Sequence, residues 1–314
     1  MGVGGGAAAA GWLLATMVGC SPQDRVVAYQ IGGDAAAGVV GDGADGAGAL
    51  GSFSAPVTVD GLLDATDVLQ DPSLSSDELE IYFASTKAGT LDIYMSARAS
   101  ITAPWGAASV VQELSTATYD DQEPELTEDN LTLYFASNRP GAESDTHIWV
   151  SRRKTRTDPW GAPEQFKLNG TSMTARGPAI DAQQLALVFY SDGAQGDYDL
   201  YRITRASTAD GWGPPAALSE VNSNVFDWDP GLFRDGRGLI FGSRRGGSSK
   251  NQPSDLFETA AASDSGTFAA PHALSELNSK ASEGDPWLSN DGRHIVFSSD
   301  RGGAGVSRLY EAWR

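Results

Sequence analysis

Along most of the chain, apolar and polar positions alternate in short runs with a period of two, broken by Gly, Asp and Pro. Leu131, Leu133 and Phe135 fall on one face of such a run and Tyr134 on the other, and Leu185, Leu187 and Phe189 repeat the spacing. Apolar residues on both faces predict strands buried on both sides. Asp235-Gly236 and Asp291-Gly292 predict hairpin turns with positive φ at both central positions. Gly-rich turns follow at Arg245-Gly246-Gly247 and Arg301-Gly302-Gly303. Third strands are expected at Asp92-Ile93-Tyr94, Asp199-Leu200-Tyr201 and Asp255-Leu256-Phe257. No segment sustains a helical period of apolar residues over three turns.

These runs belong to a repeat. Prolines 72, 124, 178, 230 and 286 lie 52, 54, 52 and 56 residues apart. Eleven residues after each stands a phenylalanine (Phe83, Phe135, Phe189, Phe241, Phe297), and two further on a serine (Ser85, Ser137, Ser191, Ser243, Ser299). Trp105-Gly106-Ala107, Trp160-Gly161-Ala162-Pro163, Trp212-Gly213-Pro214-Pro215 and Phe268-Ala269-Ala270-Pro271 precede four of the prolines, and Phe53-Ser54-Ala55-Pro56 supplies a fifth such segment. A four-stranded sheet of about 50 residues, buried on both faces and repeated in tandem, is a propeller blade. The predicted fold is an all-β, five-bladed β-propeller of four-stranded antiparallel blades over residues 53–314. The strand near 53–59 should close the ring as the outer strand of the last blade.

Composition changes the picture at the N-terminus. Gly and Pro together exceed the roughly 12% of an average chain, and part of that excess is concentrated before the repeats. Of residues 32–52, fourteen of twenty-one are Gly or Ala. Such a segment buries too little apolar surface to offset its ordering entropy, so 20–52 reads as a flexible tether reaching on the order of 30 Å. The G-x-G-x-x-G at Gly41–Gly46 has neither a strand before it nor a helix after it, and carries no nucleotide-binding meaning. The apolar run Ala7–Ala15 is too short to span a bilayer and fits a signal-peptide core over residues 1–19. It ends in Met17-Val18-Gly19-Cys20-Ser21, which resembles a bacterial lipobox, although the residues before it lack the usual Lys or Arg. That resemblance implies lipidation of Cys20, the chain's one cysteine. A lone cysteine also excludes an internal disulfide and a thiolate zinc site.

Pro286-Trp287-Leu288-Ser289-Asn290-Asp291-Gly292 followed by Ile295-Val296-Phe297-Ser298-Ser299-Asp300-Arg301-Gly302-Gly303 is similar to the WD-like repeat of TolB-type propellers. The resemblance covers all five units. It implies a periplasmic protein-binding role, though related repeats also occur in peptidase gating domains and polysaccharide-degrading enzymes.

The net charge of −19 argues against a nucleic-acid partner. The residue before each proline is Asp71, Glu123, Gly177, Asp229 or Asp285, and four beyond each phenylalanine stands Lys87, Arg139, Gly193, Arg245 or Arg301. Acid and base are present together in four units and absent together in the third, as structural ion pairs would be: Asp71–Lys87, Glu123–Arg139, Asp229–Arg245 and Asp285–Arg301. Arg176 and Asp192 offer a reversed pair in the third unit. A cation site for calcium and a catalytic carboxylate pair are the sharper alternatives. Asp121, Asp227 and Glu283, without evident partners, are the better ligand candidates. No catalytic residue and no resident metal or cofactor is assigned.

His147, His272 and His294 fall at unrelated positions and read as surface or edge residues. Trp105, Trp160 and Trp212 recur in frame and suit blade packing, whereas Trp228 and Trp287 do not recur and are the candidates for ligand contact at the channel mouth. The insertions at 142–145 and 248–253 are placed on the same face. No G-x-S-x-G, H-E-x-x-H or P-loop motif is present. The leading expectation is a non-catalytic, monomeric binding propeller for a protein or glycan partner, held in the bacterial envelope by its lipid alone. The outer membrane, facing the periplasm, is the expected site. The rival is a polysaccharide-degrading enzyme using carboxylates at the channel mouth.

Overall fold

The computed structural model describes residue 1 and residues 50–314, apart from 65, 142–145, 170, 172, 193–196, 247–251, 262–266 and 304. Cys20, the leader, most of the tether and most of both insertions therefore lie outside the described residues.

The chain opens with a short strand, β1 (Val57–Thr58), and then builds five sheets. The first contains β2 (Gln70–Leu74), β3 (Glu80–Ser85), β4 (Asp92–Ala97) and β5 (Ser109–Val110). The second contains β6 (Asp121–Leu126), β7 (Thr132–Ser137), β8 (His147–Arg152) and β9 (Glu164–Gln165). The third runs through β10 (Arg176–Ile180), β11 (Ala186–Asp192), β12 (Tyr198–Thr204) and β13 (Ala216–Ala217). The fourth runs through β14 (Asp227–Phe233), β15 (Gly238–Ser243), β16 (Asp255–Ala260) and β17 (His272–Ala273). The last comprises β18 (Glu283–Leu288), β19 (His294–Ser299) and β20 (Arg308–Trp313), with β1 as its outer strand. The protein is thus an all-β, five-bladed propeller, and no helix occurs among the described residues. Closure is antiparallel: Val57 faces Glu311, and the Val59 N–H donates to the Leu309 carbonyl at 2.9 Å.

There is no single core. Five apolar clusters occupy the five seams between blades, and the second strand of each blade feeds two of them. Ile81 and Phe83 enter the seam with the last blade, while Tyr82 enters the seam with the second. This explains the two-sided apolar pattern, since a blade is wedged between neighbours on both faces. All five in-frame phenylalanines are fully buried. The recurring aromatics lie under arginines that follow the third strands: Arg98 over Trp105 (4.2 Å), Arg153 over Trp160 (4.5 Å), Arg205 over Trp212 (4.3 Å) and Arg314 over Phe53 (4.2 Å). Each of these guanidiniums also donates from Nε to a carbonyl of its own blade's first hairpin. The aromatics therefore pack the blades, as their spacing suggests.

The first hairpins differ from expectation in one blade. In the fourth, Asp235 and Gly236 both have positive φ, as predicted. In the fifth only Gly292 does, and its N–H closes a turn onto the Ser289 carbonyl. Glu78, Asn130 and Gln184 occupy the same left-handed position in the first three blades.

Candidate functional site

The inner strands define the site. Each bulges at the residue before its proline, where the register with the second strand shifts. Asp71, Glu123, Gly177, Asp229 and Asp285 all adopt positive φ there, between 48° and 55°. An L-residue pays roughly 1–2 kcal/mol for that conformation, so four acids held in it require compensation. The carboxylates provide it around the axis. Asp71 N–H donates to Asp285 Oδ2 (3.3 Å), Glu123 N–H to Asp71 Oδ2 (3.2 Å) and Gly177 N–H to Glu123 Oε2 (2.6 Å). Three of the four acids thus accept the backbone N–H of the ring residue in the next blade. Ser298 Oγ donates to Asp285 Oδ2, and the Asp285 carboxyl lies close enough to Asp229 to raise its proton affinity.

The third blade breaks the ring. A Cβ on Gly177 would lie 2.7 Å from the Tyr190 ring, so the tyrosine occupies the space a fifth acid would need. Its hydroxyl donates to Glu123 Oε1 at 2.6 Å. The corresponding residues of the other blades are Ala84, Ala136, Gly242 and Ser298, all small enough to leave that space open.

This geometry corrects the expected ion pairs. Arg139 bonds to Asp121, not Glu123; Arg245 to Asp227 (2.6 Å), not Asp229; and Arg301 to Glu283 (3.0 Å), not Asp285. Lys87 pairs with Asp67 (2.9 Å) and Asp64 (3.3 Å), not Asp71. Arg176 donates to the Tyr198 hydroxyl (2.9 Å) and Thr174 to Asp192, so the reversed pair of the third unit is also replaced. The reason is the bulge. Unbroken alternation would put residues 121 and 123 on one face, but the left-handed residue turns its side chain to the axis and leaves the arginine to the acid two places earlier. Asp121, Asp227 and Glu283, expected to be free ligands, are fully buried in these nodes. In-frame Ser243 and Ser299 donate to the same carboxylates, and backbone N–H groups of Thr116, Ser223 and Ser279 add to them. Among the described residues no ion pair joins a ring acid to a Lys or Arg, and no group of three or more His, Cys, Asp or Glu is placed to hold a metal ion.

The ring acids line an axial recess of about 490 Å³, part of it open to solvent. Their five prolines, Gly177, Glu125, Gly231, Leu232, Trp287 and Leu288 complete its wall. Of the two tryptophans singled out, Trp287 lines the recess, while Trp228 lies to the side between Phe226 and Arg244. Glu125 and Tyr190 were not anticipated. His147 and His294 are buried rather than at the surface, and His272 is exposed.

Protons are bound tightly here. Burial, followed by the charges of Asp285 and Glu123, raises the Asp71 carboxyl well above its ordinary range. Burial and the charge of Asp285 do the same for Asp229. Glu123 is raised by burial even though the Tyr190 hydroxyl and the Gly177 N–H oppose it. Burial pushes Glu125 up to about 8, against hydrogen bonds from the Ile180 N–H and the Ser73 hydroxyl. Chemically, the recess is a set of buried carboxyls bonded to the ring's backbone, with one apolar aromatic wall.

No family model matches the chain, and no curated protein matches it. Solved structures do. TolB from Acinetobacter baumannii superposes with a TM-score of 0.50 at 16% identity over 80% of this chain, which spans 55% of that protein. An endo-arabinase from Bacteroides thetaiotaomicron gives 0.54 at 17% identity, covering 83% of this chain and 97% of the other. The α-L-arabinofuranosidase of Podospora anserina, solved with cellotriose, gives 0.55 at 12% identity over 83% and 95%. At these identities the likeness is one of fold, shared by TolB and by glycoside hydrolases.

Proposed function

We propose that the protein is a non-catalytic binding propeller that receives a protein or glycan partner at its axial recess. On this reading it is lipidated at Cys20 and held in the bacterial envelope, at the outer membrane facing the periplasm. The observation that carries it is the engagement of the ring carboxylates with the ring's own backbone. Two carboxylates that flank a glycosidic bond stand about 5 Å apart or more. The Asp71, Glu123 and Asp285 carboxylates are instead committed to backbone N–H groups of the ring itself. Trp287, Leu232 and the ring prolines give the recess an apolar wall of the kind that anchors a partner. The net charge of −19 steers cationic partners toward the molecule.

Hydrolysis remains the second reading, favoured by the fold it shares with arabinan-degrading enzymes and by the convergence of acids on the axis. A panel of plant and bacterial glycans incubated with the full chain discriminates between the two. We expect no release of reducing ends. Turnover that Asp229→Asn abolishes while the fold persists would overturn the binding reading.

A further inference from the structure

The seam that closes the ring differs from three of the others. Between the first and second blades, Asn130 Nδ2 donates to Ser76 Oγ (3.1 Å) and the Ser76 N–H to Asn130 Oδ1. Gln184 donates to Asp129 between the second and third blades, and Asn290 to Asp235 between the fourth and fifth (both 2.9 Å). None of these amide donors titrates. At the closing seam, His294 of β19 stands between two carboxylates. Its Nδ1 is 3.2 Å from Glu78 Oε2 of the first blade, and its Nε2 is 3.2 Å from Glu311 Oε2 of β20. A carboxylate only accepts, so both ring nitrogens must donate, and only the imidazolium does that.

The site is built around this cation. His294 is 4% exposed, stacks on Trp313 (4.9 Å, 6°) and takes the edge of Trp287 at 5.8 Å. Arg98, from the end of β4, holds Glu78 by donating from Nε to its carbonyl and placing Nη2 3.8 Å from Oε2. Glu78 itself adopts φ 58° in a turn position that Asn130 and Gly292 fill in other blades. A glutamate there carries a conformational cost that a glycine would avoid.

We propose that His294, clamped between Glu78 and Glu311, is a pH-sensitive latch that holds the first and last blades together when protonated and releases that seam when it loses its proton. Burial alone would lower the imidazole's proton affinity, but the hydrogen bonds and charges of Glu311 and Glu78 outweigh it and hold the group above its usual value. A raised folded value means the latch is fully engaged below the unfolded value of about 6.5 and is lost as pH climbs through the folded one. Because Trp287 touches His294 and lines the recess, the loosened seam borders the recess wall.

The test is an NMR titration of the full chain, following the His294 imidazole together with amide exchange protection at Leu69, whose N–H donates to the Ser307 carbonyl across that seam. Protection in the third blade serves as the internal reference, because the axial carboxyls titrate as well. We expect His294 to titrate above 6.5 and the ratio of seam to third-blade protection to fall about tenfold per pH unit beyond that point. His294→Gln should flatten the ratio. Glu78→Gln, which keeps the imidazole as a probe should His294→Gln fail to fold, should lower the titration point. A His294 that titrates at or below 6.5 overturns the latch, as does a protection ratio that stays constant through its titration. So does the same pH-dependent loss persisting in His294→Gln.

Discussion

Gly177 and Tyr190 show how one residue sets the form of the axis. Four blades hold an acid in a left-handed bulge, and the third holds a glycine because an aromatic ring fills the space beside it. Gly177→Ala should therefore cost about 1–3 kcal/mol in urea unfolding, from overpacking together with the positive φ. In a Tyr190→Ala background the overpacking part should vanish, leaving a positive coupling between the two sites. The glycine in frame with four acids was the one sequence signal that the whole series adopts positive φ. Without it, strict alternation places 121 beside 123, and the base four beyond the phenylalanine has two plausible acids. The bulge decides between them, and a bulge is a property of φ at one residue rather than of the pattern around it.

At the scale of the element, the repeated unit is a strand pair fastened by an arginine node. Arg139 reaches the Leu114 carbonyl and Asp121, and takes support from Ser137. Arg139→Ala should cost about 3–5 kcal/mol, since it strands a fully buried carboxylate. Lys87 holds the same place in the first blade but pairs at the surface, and Lys87→Ala should leave the urea midpoint unchanged. The strands themselves were legible because Pro, Phe and Ser recur in one frame and because both faces of the second strand are apolar. The hairpin at Asp291-Gly292 was not, since Asp-Gly fits both a two-residue turn and the longer turn from Ser289 that the blade uses.

Across the whole molecule, the fold binds protons that the unfolded chain releases. Asp71, Glu123, Asp229 and Glu125 all have raised folded values. Their favourable contribution is complete below the ordinary carboxylate range and drains away as pH rises, for Glu125 through about 8. The thermal midpoint should accordingly fall between pH 5 and pH 8, and Glu125→Gln should shallow that slope. Five blades, their closure by β1 and the burial of the recurring aromatics all follow from the repeat count. The recess does not, because it arises from where five bulges aim their side chains, which no single unit encodes.

The central claim is that the recess binds and does not cleave. Its most direct test is capture from solubilised envelope by the immobilised full chain, with Trp287→Ala and Asp285→Asn alongside and their folds checked by melting. The account predicts a partner retained by the parent chain and lost, or weakened at least about tenfold, in Trp287→Ala. Equal retention by the parent and both folded variants would contradict it.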